Sequence, residues 1–219
     1  MGYHRYTKSR PRIDRNRYAQ TVPTVESHGM AIFRSVNDPI FIEINQQIED
    51  TCGNYLVSCR DRKGEKGHSI SLLEKSENEY FKSIGHFALQ DVIDMVYDGV
   101  PSLRETYDVG VDSVSIFGRT TSNSKVLAVT FDEESNNRVI KERREIVEII
   151  NLAAGGTYRV SDAITEKNKP HLSLARYFMD IPEDEINNAV DAIKTVLPNK
   201  FHVERATLYK PKRLYSRNA

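Results

Sequence analysis

Lys169-Pro170-His171-Leu172-Ser173-Leu174-Ala175 is the most informative stretch of this chain, because a similar stretch occurs earlier in the sequence. The earlier stretch is Lys66-Gly67-His68-Ser69-Ile70-Ser71-Leu72-Leu73. When one residue near Ser69 is treated as an insertion, both copies follow the pattern Lys, turn residue, His, apolar residue, Ser, Leu. A predicted helix and a polar loop precede each copy, and another predicted helix follows it. The structural context therefore repeats together with the residues.

The second copy places a histidine beside a hydroxyl group. Side chains of residues i and i+2 in a strand point to the same face, so His171 and Ser173 project together while Leu172 and Leu174 face the core. A single His-x-Ser pair is usually an ordinary half-exposed part of a strand. Two such pairs fit metal-free phosphoester chemistry, in which one imidazole accepts a proton from the attacking hydroxyl and the other protonates the leaving oxygen. The serine hydroxyls would hold the phosphate oxygens.

The first copy is irregular, because His68 and Ser71 are three residues apart. In a regular strand these two side chains point to opposite faces. A β-bulge at Ser69 is expected, since one extra residue would return both side chains to a common face. Without that bulge, Ser69 takes the place of the histidine, and the protein would bind its ligand but cleave it poorly.

Helices and strands are predicted to be mixed along the chain. Residues 111–118 and 125–131 are expected to pair, and the glycines of the polar connection 60–67 favour a hairpin between the strands that flank it. This pattern indicates an α+β protein rather than a doubly wound parallel sheet. Apolar spacing and turn residues predict helices over 39–53, 77–97, 133–155 and 182–198, and strands over 29–34, 55–59, 68–73, 111–118, 125–131, 169–176 and 201–209.

The composition is that of a globular intracellular protein. The 219 residues are 39% hydrophobic, and 31 basic side chains balance 31 acidic ones, which argues against disorder. No apolar run is long enough for a membrane span, and no secretory signal is recognisable. The two cysteines, Cys52 and Cys59, lack the spacing of a zinc or redox site. The sequence therefore predicts a cytoplasmic location, or an intracellular one in a host if a virus encodes the protein.

Charge is distributed unevenly along the chain. Residues 1–20 and residues 199–219 each carry six basic side chains and one acidic side chain, so the middle is acidic. Basic ends that lie together would attract phosphate-bearing partners, although charged tails can also simply maintain solubility. The expected organisation is a basic tail over 1–24, a single bilobal domain over 25–210 and a second basic tail over 211–219.

The two His-x-Ser motifs resemble those of the 2H phosphoesterase superfamily, the LigT-like proteins. The match is closest at Pro170-His171-Leu172-Ser173-Leu174-Ala175-Arg176, and Ala206-Thr207-Leu208-Tyr209 resembles the family's C-terminal region. The resemblance implies a two-lobed, pseudo-symmetric fold of antiparallel sheets flanked by helices, with one histidine from each lobe in a central cleft. It also implies metal-independent cleavage of RNA-type phosphodiesters, namely 2′,3′-cyclic phosphates, 2′–5′ linkages or cyclic oligonucleotides.

Candidate site residues follow from the motifs and from their surroundings. His68 and His171 are the predicted catalytic pair, with Ser71, Ser173 and Arg176 as phosphate-binding residues. Tyr209, His202 and Tyr215 are candidates for contacts with bases or with the rim of the cleft. No cofactor, metal site, membrane contact or obligate protein partner is inferred, and the expected partner is a nucleotide, an oligonucleotide or RNA.

Two other functions compete with a phosphodiesterase. A degenerate relative that binds RNA or nucleotides without turnover would keep its affinity when His68 is replaced. A structural protein with an incidental repeat would not be stabilised by nucleotides at all.

Overall fold

Antiparallel strands and α-helices make up the described part of the chain. A computed structural model describes residues 31–59, 68–73, 86–118, 124–153, 169–178 and 180–209. The helices are α1 (Ile40–Cys52), α2 (His86–Gly99), α3 (Glu133–Ala153) and α4 (Glu183–Val196). The strands are β1 (Ala31–Val36), β2 (Leu56–Cys59), β3 (His68–Leu73), β4 (Tyr107–Gly118), β5 (Ser124–Phe131), β6 (His171–Phe178), β7 (Lys200–Val203) and β8 (Ala206–Tyr209).

The strands form one curled antiparallel sheet, a half-barrel flanked by the helices. Its strand order is β7-β4-β5-β6-β3-β1-β8, and β2 pairs with the second half of β6. The curl brings the end of β7 towards β1, where the Glu204 amide donates a hydrogen bond of 2.9 Å to the Ser35 carbonyl. The predicted α+β class is confirmed, and β3 and β6, which carry the two motifs, lie side by side in the middle of the sheet.

The helices cover one face of the sheet with the apolar residues that their spacing predicted. Helix α1 begins where the Asp38 carboxylate accepts a hydrogen bond of 3.0 Å from the Ile40 amide, and it buries Ile44 and Ile48. Helix α4 buries Ile186, Ala189, Val190 and Ile193. These side chains join Ile70 of β3 and Leu172 of β6 in a single core.

Arg34 of β1 holds several elements together from inside this core. Its side chain is fully buried, and its guanidinium forms a bidentate ion pair with Glu142 of α3 through bonds of 2.9 and 2.6 Å. The remaining N–H groups donate to the carbonyl oxygens of Ser102, Glu105 and Glu204 at 2.7–3.0 Å. All five donors of the guanidinium are therefore used, which is what a buried arginine requires.

Two sequence predictions about strand pairing are wrong. The predicted hairpin between residues 55–59 and 68–73 does not form among the described residues, because β3 is occupied on its two edges by β1 and β6 while β2 pairs with β6. The predicted strand over 201–209 is two strands. Its first part, β7, pairs with β4, and its second part, β8, pairs with β1.

The described residues all belong to one compact unit, His28–Pro211. The tails predicted over 1–24 and 211–219, the connection 60–67, the start of the helix predicted from 77, Gly155-Gly156 and Tyr215 lie outside the described residues. None of the described helices is long and apolar enough to cross a membrane.

Candidate active site on the concave sheet

The pairing of β3 with β6 gathers four polar side chains on one face of the sheet. Ile70 lies directly opposite Leu172 in this antiparallel pair, so Ser71 lies opposite His171 and Ser69 lies opposite Ser173. Paired residues share a face, with Cβ atoms roughly 4.5–5.5 Å apart. Burial confirms the alternation, since these four side chains are half-buried whereas Ile70, Leu172 and Leu174 are buried in the core. We call the group Ser69, Ser71, His171 and Ser173 the cleft tetrad.

His68 lies on the opposite face, in the core. Its side chain is 3% exposed, and its ring stacks on Phe41 of α1 at 3.9 Å between centroids. Phe41 in turn stacks on Phe201 of β7 at 5.1 Å. The Nδ1 atom of His68 lies 3.3 Å from the Ser173 carbonyl oxygen. The structure therefore does not bring His68 together with His171.

The β-bulge predicted at Ser69 is wrong, and its position explains why His68 faces the core. Residues 68–71 of β3 pair with β1 in unbroken register, and the irregularity comes one step later, where Ser71 pairs with Phe33 and Leu73 with Ile32. The extra residue is thus Leu72. Ser69 consequently occupies the histidine's place in the first motif, which is the alternative left open by the sequence.

A buried arginine satisfies the backbone at this bulge. Arg143 of α3 is 7% exposed, and its Nε and Nη2 atoms both donate to the Ser71 carbonyl oxygen, at 3.1 and 2.6 Å. A bulge disturbs the regular ladder of strand hydrogen bonds. The two bonds from Arg143 therefore stabilise the bulged backbone and hold Ser71 where its side chain faces His171.

The hydrogen bonds of His171 define which ring nitrogen can act as a base. Its Nδ1 atom lies 2.9 Å from the Lys169 carbonyl oxygen, which can only accept a hydrogen bond. Nδ1 therefore carries the proton in the neutral ring, and Nε2 keeps its lone pair. The ring of Phe117 on β4 lies 5.1 Å from the imidazole, between centroids. A half-buried imidazole with an available Nε2 can accept a proton from a hydroxyl or from water.

A second bulge brings Arg176 to the same face as His171. The register between β5 and β6 shifts where Leu127 pairs with Ala175 and Ala128 pairs with Ser173. Beyond this point the alternation is reversed, so that Tyr177 is buried and Arg176 is exposed. The predicted phosphate-binding residue thus lies on the face of the cleft tetrad, where its guanidinium can pair with a phosphate.

Two of the other candidate residues, His202 and Tyr209, lie on strands that do not carry the tetrad, and Tyr215 is outside the described residues. His202 is exposed on the edge strand β7, where its Nδ1 lies 3.0 Å from Asp108 Oδ1. Hydrogen bonds from Lys200 and then from His202 hold the pKa of the Asp108 carboxyl below its ordinary value. Tyr209 is the last residue of β8, where it pairs with Ala31 on the far side of β1.

Sequence reasoning missed Phe117 and Thr130. Thr130 of β5 lies opposite His171, and its Oγ1 is 2.8 Å from Ser113 Oγ and 3.3 Å from Asp112 Oδ2. The alternation within each strand signalled which residues share a face, but no sequence signal placed β5 beside β6. Within the described ranges, no group of three His, Cys, Asp or Glu side chains is placed to hold a metal ion.

These features define a class of α+β proteins. In this class a curled antiparallel sheet has two motif strands side by side, and polar side chains of both strands lie on its open face. Comparison with solved structures finds this fold in Usb1 from Kluyveromyces marxianus. A structure of that protein with uridine monophosphate has a TM-score of 0.59 at 11% identity, over 85% of this chain and 95% of the Usb1 chain. A second Usb1 structure has a TM-score of 0.53 at 11% identity, over 84% and 95%.

The fold that the resemblance implied is therefore confirmed. Neither a protein-family model nor a curated protein sequence matches the chain.

Proposed function

We propose that this protein is a metal-independent phosphodiesterase that acts on RNA-type phosphodiester bonds, with His171 as the proton-transferring group. The pairing of β3 with β6 carries the proposal, because it gathers one imidazole and three hydroxyls on the open face of a fold shared with Usb1. The expected substrates are 2′,3′-cyclic phosphates, 2′–5′-linked oligonucleotides and cyclic oligonucleotides.

The chemistry follows from the available Nε2 atom of His171. This atom accepts the proton of the attacking group. The attacking group is the ribose hydroxyl next to the phosphate where one is free, which is the 3′-hydroxyl at a 2′–5′ linkage and the 2′-hydroxyl at a 3′–5′ linkage, and it is water when the substrate is a 2′,3′-cyclic phosphate. Ser71 lies across from His171, and Ser173 lies two residues along the same face, so their hydroxyls can donate to the phosphate oxygens. Arg176 adds a permanent positive charge on the same face.

The partner is a nucleotide, an oligonucleotide or RNA. The uridine monophosphate in the Usb1 structure makes uridine derivatives a sensible first choice of probe.

A second candidate is an RNA- or nucleotide-binding protein with the same fold and little turnover. The position of His68 favours it, because this histidine is stacked on Phe41 in the core rather than facing the phosphate site. Two-histidine catalysis would require a second imidazole at the cleft tetrad.

Turnover measured in the presence of EDTA tests the proposal. The panel comprises 2′,3′-cyclic mononucleotides, 2′–5′ and 3′–5′ oligoadenylates, and cyclic di- and trinucleotides. We expect cleavage that survives the chelator and falls by about 100-fold or more in His171→Ala, the size of effect typical for loss of a general base. His68→Phe, which replaces the buried imidazole by another ring against Phe41, is the matched control and should retain turnover.

The alternatives give different results. Nucleotide binding without turnover of any substrate would support the binding protein instead. Turnover abolished by EDTA, or unaffected by His171→Ala, would contradict the proposed mechanism.

A further inference from the structure

Ser69 lies where a second proton-transferring group would have to act. It is opposite Ser173 and therefore diagonal to His171 on the neighbouring strand. Diagonal neighbours in an antiparallel pair have Cβ atoms roughly 7–8 Å apart, a gap that side chains bridge through a bound phosphate. A group at this position could reach the side of the phosphorus opposite His171. A serine hydroxyl is a much weaker proton donor than an imidazolium.

The described residues around Ser69 do not supply a general acid that could protonate the leaving group. Among the histidines of the described strands, only His171 belongs to the cleft tetrad. His68 is in the core, and His202, which is exposed between the buried Phe201 and Val203, lies on β7, which β4 and β5 separate from β6. Arg176 can stabilise negative charge, but a guanidinium does not give up its proton in proteins. The carboxylate of Asp112 contacts Thr130 of β5, on the side of His171 away from Ser69.

We propose that Ser69 determines the substrate class, by limiting the enzyme to phosphodiesters whose leaving group departs without being protonated. This inference rests on the proposed phosphodiesterase function and narrows its substrates. Strained five-membered 2′,3′-cyclic phosphates and esters of acidic leaving groups satisfy the condition. Ordinary 2′–5′ and 3′–5′ linkages, which release a ribose hydroxyl, do so poorly.

The proposed step balances with a single proton transfer in the protein. Nε2 of His171 takes the proton of the attacking hydroxyl while the oxygen–phosphorus bond forms. The bond from phosphorus to the leaving oxygen breaks, and the leaving group departs as an anion with the electron pair. The imidazolium then returns its proton to solvent.

Two substrates that differ only in their leaving group test this inference. Uridine 3′-(4-nitrophenyl phosphate) and uridylyl-(3′→5′)-uridine are both attacked by the 2′-hydroxyl, and both give uridine 2′,3′-cyclic phosphate. In the natural protein we expect the cleavage rate of the nitrophenyl ester divided by that of the dinucleotide to equal the same ratio for cleavage by hydroxide ion, where no general acid is present. Ser69→His should shrink this ratio by about 100-fold or more, because an added general acid helps only the ribose leaving group.

Ser35→His is the matched control. Ser35 pairs with Ser69 and lies one strand further from β6, so an imidazole there should leave the ratio as in the natural protein. Circular dichroism and thermal unfolding establish that the variants fold. If Ser69→His does not fold, a series of aryl esters of uridine 3′-phosphate tests the natural protein directly. The dependence of the cleavage rate on leaving-group acidity should then match that of cleavage by hydroxide ion.

The possible failures are distinguishable. No cleavage of either substrate above background would overturn the proposed phosphodiesterase function itself. Two results would overturn the role of Ser69 while leaving the phosphodiesterase intact. The first is cleavage of the dinucleotide by the natural protein nearly as fast as that of the nitrophenyl ester. The second is selectively slower cleavage of the dinucleotide in His68→Ala or His202→Ala. An unchanged ratio in a folded Ser69→His protein would do the same.

Discussion

At the scale of single residues, the face to which a histidine points decides its chemistry. His171 and His68 both begin a motif strand, yet the first is half-buried on the open face and the second is 3% exposed in the core. His68 acts there as an aromatic ring, stacked on Phe41. Its Nδ1 atom lies 3.3 Å from the backbone carbonyl oxygen of Ser173 on β6.

Replacing His68 tests this core role. His68→Phe keeps a ring against Phe41, so we expect a change in unfolding free energy of less than about 1.5 kcal/mol, as for shape-conserving core changes. His68→Ala leaves a cavity and should cost about 3 kcal/mol. Urea unfolding measures both variants.

Turnover of a 2′,3′-cyclic nucleotide complements the stability measurement. His68→Phe should retain it, because this side chain does not reach the cleft tetrad. A loss of 100-fold or more in a stable His68→Phe protein would show that the imidazole takes part in the chemistry.

At the scale of elements, two β-bulges set which side chains reach the open face. The bulge at Leu72 ends the regular pairing of β3 with β1, and the bulge before Ala175 turns Arg176 towards the open face. The first is supported by Arg143 of α3, whose guanidinium donates twice to the Ser71 carbonyl oxygen. A helix on the covered face therefore positions a hydroxyl on the open one.

Arg143→Met should loosen β3 and weaken the site. The Ser71 carbonyl loses both donors in a buried place, so we expect the unfolding free energy to fall by about 1–3 kcal/mol. Amide hydrogen exchange should accelerate in β3. The neighbouring exposed Arg144 provides the control, and Arg144→Met should change stability by less than about 0.5 kcal/mol. Equal effects of the two substitutions would exclude a specific role for Arg143.

At the scale of the whole molecule, a buried polar network links β1 and β4, which lie near opposite ends of the strand order, to α3. The Tyr107 hydroxyl donates to Glu142 Oε2 at 3.1 Å, beside the ion pair that Glu142 makes with Arg34. Burial, and next the Glu142 carboxylate, raise the pKa of Tyr107 well above its ordinary value of 10.0. Ionising this phenol would place a second negative charge against Glu142.

This network should make the protein sensitive to alkali. Because the pKa of Tyr107 is raised by folding, its contribution is fully present below about pH 10 and is lost as the pH rises further, by at most about 1.4 kcal/mol per pH unit. The difference in unfolding free energy between the natural protein and Tyr107→Phe should therefore shrink between pH 9 and pH 11, measured by urea unfolding. A difference that stays constant over this range would contradict the raised pKa.

Local patterns were sufficient for most elements of the fold. The helical spacing of Ile40, Ile44 and Ile48 and of the apolar residues between Pro182 and Pro198 predicted α1 and α4, because burial of one helical face depends on spacing alone. The strand over 68–73 was likewise recognisable from its alternating polar and apolar residues, and the strands over 111–118 and 125–131 from their strand-like composition. The pairing of β2 with β6, and the division of 201–209 into two strands, depend on which edges other strands leave open.

By itself the sequence determined the α+β class, the motif strands and the fact that the side chains of His171 and Ser173 share one face of their strand. Each of these follows from periodicity over a few residues. Only the tertiary structure decided that the extra residue of β3 is Leu72 rather than Ser69. A bulge lowers stability little where its backbone groups still form hydrogen bonds. Arg143, which is far from Ser71 in the sequence, donates two hydrogen bonds to the Ser71 carbonyl oxygen. That one-residue choice places His68 in the core and Ser69 in the cleft.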